Sequence, residues 1–171
     1  MKHSFELPAQ MKDMKLDDRG YPIPYFVPFI DGKPDFRYQD ERKRQTCIDR
    51  KWCSICGKPL IDRSFWFISG PMGFQNKVAT DAPMHEACAR FSIQACPHLI
   101  FLKAERRSEE PIDPTPGLLR DKPKEIYLIK SDKYKVQIQD GNQYFRFRVA
   151  THEKYVYQDN KLVLYAHSRI P

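Results

Sequence analysis

Cys53-x-x-Cys56 and, after 28 intervening residues, His85-x-x-Cys88 place three thiols and one imidazole in two pairs of equal spacing. Thiolate and neutral imidazole are the ligands tetrahedral zinc takes, at about 2.0–2.3 Å, and Cys3His is a common structural set. A two-residue spacer lets both sulfurs of the first pair reach one ion when the chain turns sharply after Cys56, which Gly57 permits. His85 and Cys88, three apart on a helix, project to one side. Four protein ligands leave zinc no open position, so its role here is structural, supplying ~10–16 kcal/mol of binding free energy to a small domain.

Other uses of these residues fit the sequence less well. A redox Cys-x-x-Cys pair belongs at a helix N-terminus, whereas Gly57 and Pro59 follow this pair directly. Five cysteines are an odd number, which disfavours a complete disulfide framework, and the N-terminus has no apolar leader, so a reducing, cytoplasmic setting is expected. Cys96 and His98 are alternative ligands, but Cys96 lies eight residues beyond Cys88, roughly 12 Å along a helix. A buried structural thiol is the expected state of Cys96. Cys47 has Arg44, Arg50 and Lys51 nearby, which could lower its pKa; a partly buried, inert thiol is the simpler expectation.

The elements that must position these ligands follow from pattern. Residues 41–51 are a charged lead-in to the first pair. Residues 62–80 predict a hairpin, with strands at Phe65–Ile68 and Val78–Thr80 and turn signals at Gly70, Pro71 and Gly73. Residues 82–96 predict a helix, with Pro83 in its first turn and Pro97 as its stop. Knuckle, hairpin and ligand-bearing helix together resemble a treble-clef zinc finger over residues 52–96. The same scaffold serves HNH nucleases, but residues 62–80 contain no histidine and His85 is already committed to the metal. That reading therefore ranks last. No phosphate-binding loop, nucleophile elbow or dinucleotide fingerprint is present, so the sequence leans away from an enzyme.

The remaining chain divides by composition. Residues 1–40 read as an extended proline- and aromatic-rich arm that packs onto the body, and 41–102 as the zinc domain. Residues 103–125 are a charged, proline-rich linker or exposed loop, and 126–171 alternate as an antiparallel β-meander with turns at 140–142 and 159–160. The fold class is α+β. No apolar run reaches the roughly 20 residues that span a bilayer, so no membrane role is expected.

The net charge of +7 is spread along the chain, +3 over residues 1–102 and +4 over 103–171. A basic balance suits nucleic acid or an acidic protein. Candidate contacts are Arg42, Lys43, Arg44, Arg50 and Lys51 before the knuckle, and Tyr144, Arg146 and Arg148 along one predicted strand. Cations meet phosphates there and the aromatic ring can stack on a base. The competing expectation is a regulatory factor that docks on a host or phage protein through the arm or the edge of the meander.

The segments "RGYPIPYFV", "GKPDFR", "WCSICGKPL", "FWFISGPMG", "PMHEACARFSIQACPHL" and "YKVQIQDGNQYFRF" occur in that order. Together they resemble a family of small hypothetical proteins of bacteriophage and bacterial genomes. The resemblance spans most of the chain, implies zinc and a shared architecture, and supplies no activity. This sequence departs from it at Gly73, where the family often carries a cysteine.

Overall fold

A computed structural model describes residues 4–96, 99 and 123–169. His98, Pro97 and most of the 103–125 linker lie outside the described residues. The protein is α+β, with short helices and antiparallel sheets. In chain order the elements are a 3-10 turn (Ala9–Met11), β1 (Phe29–Ile30), β2 (Lys33–Pro34) and α1 (Glu41–Arg50). There follow β3 (Phe65–Ser69), α2 (Pro71–Asn76), β4 (Val78–Ala79) and α3 (Glu86–Ala95). The last five strands are β5 (Glu125–Ser131), β6 (Tyr134–Gln139), β7 (Asn142–Phe147), β8 (Thr151–Gln158) and β9 (Lys161–Arg169).

The predicted hairpin at 62–80 does not form. Pro71 starts a helix instead, a position where its missing N–H and fixed φ are no handicap. Lys77 ends that helix in the left-handed conformation, and β3 and β4 leave it for different sheets. β3 joins the order β3-β5-β8-β9, and β4 joins β4-β7-β6. The charged lead-in is also more than a loop. Asp40 accepts from the amides of Arg42 and Lys43, Glu41 sits in the first turn and Arg50 in the last, and the helix α1 results.

The predicted C-terminal meander is likewise divided between the two sheets. At its corner Ser131, fully buried, donates its hydroxyl to the Lys133 carbonyl at 2.6 Å and accepts the Arg148 amide at 3.1 Å. That turn carries the chain out of β5 before it can fold back beside it. The remaining hairpin turns are as predicted: Asp140-Gly141 and Asp159-Asn160 all have positive φ, the two-residue geometry that matches strand twist. Asp31-Gly32 makes the same turn between β1 and β2, so the arm is not wholly extended.

One apolar cluster joins these pieces. Phe67 of β3 stacks on Phe147 of β7 at 5.0 Å between ring centres, while Leu128 and Ile129 of β5 are fully buried beside Cys88 and Ala89 of α3. The arm contributes Met11 to the same cluster. Helix α3 is fastened to β8 by a two-point ion pair: Arg90 donates to both Glu153 carboxylate oxygens, at 3.0 and 2.7 Å. Glu153 is almost wholly buried, and the Arg90 guanidinium also lies over Trp66, 5.1 Å from its centre.

Removing that buried carboxylate charge by Glu153→Gln should destabilise the protein by about 1.5–3 kcal/mol at neutral pH. The Arg90 guanidinium holds the Glu153 carboxyl below its ordinary value of 4.5. Its contribution is therefore present above that value and is lost as pH falls through the lower folded value. Urea melts of the two proteins should separate at pH 7 and converge in acid.

Candidate metal centre

The first ligand pair sits on a tight knuckle built by backbone hydrogen bonds. The Leu60 amide donates to Lys51, that of Cys53 to Lys58 and that of Gly57 to Cys53, at 2.8, 2.8 and 2.9 Å. Gly57 takes φ +66°, and a Cβ there would lie 2.6 Å from the Tyr25 ring, so glycine is required twice over. Tyr25 in turn donates its amide to Ile55 at 2.7 Å, which seats the arm on the knuckle.

The second pair is set by the strand-like segment before α3. Met84 exchanges two backbone hydrogen bonds with Trp66 of β3, and buried Ser54 of the knuckle bonds the carbonyls of Pro83 and Ala82. The helix begins at Glu86, later than the pattern predicts, with His85 as its N-cap. Cys88, one turn in, still faces the same point.

The result is a cluster in which one ligand atom from each of Cys53, Cys56, His85 and Cys88 lies within 4.8 Å of the others. His85 Nδ1 stands 3.3 Å from the Cys56 sulfur and 3.9 Å from that of Cys88. A tetrahedron with the metal–ligand lengths of zinc separates its corners by about 3.6–3.8 Å, so the donors fit one ion. His85 Nε2 is 3.0 Å from the Pro59 carbonyl, which can only accept, so Nε2 carries a proton and Nδ1 is the nitrogen turned to the thiols. Cys53 and Cys88 are fully buried; Cys56 and His85 are partly so.

Without a cation the cluster is electrostatically crowded. Hydrogen bonds from Cys53 and Cys88 hold the Cys56 thiol far below its ordinary range, while bonds with Cys53 and Cys56 push Cys88 far above it. The same two thiols raise His85 to about 10. One negative charge is accommodated by shared protons, and a dication would take the place of those protons for all three sulfurs. The four residues can thus hold a metal ion.

The neighbouring cysteines are outside the cluster. Burial, followed by the charges of Cys53 and Cys56, raises Cys47 to about 12, so the basic residues of α1 do not activate it. Cys96 caps the far end of α3.

The eight proposed nucleic-acid contacts are not brought together. Arg44 turns inward, donating to the carbonyls of Thr80 and Gln143 at 3.0 and 2.8 Å, above the ring of Phe145. Lys43 donates to Val27 of the arm at 3.1 Å, Arg50 lies over Trp52, and Lys51 is the C-cap of α1. Arg42 is exposed on α1. Phe145 and Phe147 point into the core, so alternation puts Tyr144 and Arg146 on the opposite face of their sheet from α1. Arg148 is paired with Asp132. Sequence reasoning missed Tyr25, Ser54 and the Pro59 carbonyl as supports of the centre. Only Gly57, beside an aromatic-rich arm, hinted at the close approach.

Comparison with family models, curated proteins and solved structures gave no match. Among the described residues, no helix is long and apolar enough to cross a membrane.

Gly57→Ala should cost at least about 1 kcal/mol and weaken metal binding about tenfold in a chelator competition. Gly141→Ala is the control, because Gly141 shares the positive φ but has nothing within 4 Å. It should lower stability and leave metal affinity unchanged.

Proposed function

We propose that the chain is a zinc-stabilised binding module, with a treble-clef-like core formed by the knuckle, the Met84–Trp66 pairing and α3. The observation that carries this reading is the closed donor set: Cys53, Cys56, His85 and Cys88 supply four ligands from the protein itself. A metal so enclosed holds the fold and has no position left for a substrate or water. Soft thiolates with one imidazole favour zinc over calcium or magnesium, which take oxygen donors. A bacterial or phage origin rests on the motif resemblance alone, and a cytoplasmic setting on that together with the cysteine usage.

The surface best suited to a partner is the outer face of the β4-β7-β6 sheet. Lys135 stands directly across from Arg146, and like charges so placed are unfavourable until an anion lies between them. Arg146 is held by a neutral amide, its Nε donating to Gln137 at 2.9 Å. Tyr144 follows on the same face, half-buried, with ring area for a base. A nucleic-acid strand matches that combination. A protein partner is favoured instead by β6 itself, which among the described residues is an edge strand with one neighbour and with Ile138 exposed near its tip.

Protein purified without added metal should carry about one zinc per chain by elemental analysis, and Cys56→Ser should lose it; full occupancy in that variant refutes the assignment. Binding to a single-stranded oligonucleotide should weaken with salt. Lys135→Gln and Arg146→Gln should each reduce the slope of log K against log salt by about 0.7–1. A salt-independent complex, or unchanged slopes, would turn the reading to the edge of β6.

A further inference from the structure

A cavity of about 290 Å³ opens between the arm and the knuckle, away from the outer sheet face just described. Its lining is apolar in body and cationic in charge. Ile23 and Ile55, both buried, line it together with the rings of Tyr25 and Phe29. Lys15 and Lys43 both reach Phe29, their ammonium nitrogens 6.0 and 5.9 Å from the ring centre, and Lys43 is 5.6 Å from that of Tyr25. Lys43 uses one of its three N–H donors on the Val27 carbonyl. Lys58 and Cys56 of the cluster also line it, and Asp13, the acid that lines the same space, is paired with Lys58 at 3.1 Å. Two ammonium groups are thus left over one pair of rings with no carboxylate to balance them among the cavity's residues.

We propose that this cavity binds a small anion carried on a flat apolar body, the chemistry of aryl carboxylates and aryl phosphates. The volume lies at the lower end of ligand pockets, enough for one ring and its charged group. The ring would pack against Tyr25 and Phe29 and displace water from Ile23 and Ile55. The anion would take the free donors of Lys43 and Lys15 as charge-assisted hydrogen bonds. A neutral ring gains only the first contribution and a bare anion only the second, so selectivity for both together is the mark of the site. The inference does not rest on the choice of macromolecular partner. Lys15, Tyr25 and Phe29 have no part in the outer sheet face.

The test is calorimetric titration of the zinc-loaded full chain with phenyl phosphate, benzoate, inorganic phosphate and benzyl alcohol. Phenyl phosphate or benzoate should bind saturably, with inorganic phosphate and benzyl alcohol at least about tenfold weaker. Lys15→Met should weaken the aryl anion about tenfold, within the range of a hydrogen bond to a charged group, and Lys43→Met at least as much. Lys15 is exposed and forms no part of the core, so its variant separates recognition from folding. Zinc content and thermal melting check Lys43→Met, which also loses the Val27 contact. Equal affinity for inorganic phosphate, equal affinity for benzyl alcohol, no saturable binding of either aryl anion, or undiminished binding by Lys15→Met would each overturn the proposal.

Discussion

Cys53, Cys56, His85 and Cys88 gather three sulfurs and an imidazole within 4.8 Å of one another, and any thiolates among them repel unless something balances their charge. Shared protons do so for one negative charge, and a dication does so for three. That requirement fixes the relative position of two stretches of chain that share few other bonds. The knuckle reaches the segment before α3 through Ser54, which bonds Pro83 and Ala82. From there the constraint travels outward. Cys88 sets the phase of α3, α3 presents Arg90, and Arg90 grips Glu153 in the third strand of the larger sheet. The Cys/His cluster is thus a joint between the knuckle and the β-sheets.

The second constraint is the placement of β3 and β4 in separate sheets. Helix α2 between them diverts the chain, and each strand pairs with a partner more than 50 residues further on: Phe65 with Ser131, Val78 with Arg146. The corner at Ser131 matches that divergence from the other side. Side chains from both sheets then meet, Phe67 against Phe147 and Phe65 against Tyr134 at 4.8 Å. The segment that carries the Cys/His cluster and the C-terminal strands therefore share one core, joined by the β3–β5 and β4–β7 pairings.

What the sequence made legible was local. The Cys/His cluster could be read because spacing alone brings two donors to one point, and the two-residue turns because positive φ restricts which residues fit. Helix α1 was missed because its only buried residue is Cys47, so it lacks an apolar stripe. Its cap at Asp40 and its end charges were visible nonetheless. The hairpin was misread because Gly70-Pro71 marks a turn and a helix start equally well. Sheet membership is non-local: nothing in "FWFIS" states whether its partner is 13 or 60 residues away. The same limit applies to the basic residues, whose type was evident and whose direction was not.

That direction decides how the net charge is used. Arg44, Arg90 and Arg148 bond within the protein, and each neutralises a carbonyl, carboxylate or ring of its own chain. Seven excess positive charges therefore do not make a uniformly basic surface. Among the described residues, two places set like charges beside aromatic rings. One pairs Lys135 with Arg146 beside Tyr144; the other pairs Lys15 with Lys43 over Tyr25 and Phe29. Both combine like charges with aromatic surface, an arrangement that is mildly unfavourable in the free protein and favourable once an anion with a planar body arrives. The knuckle lies beneath Tyr25, whose amide donates to Ile55 at 2.7 Å, and Cys56 of the cluster lines the second of these places.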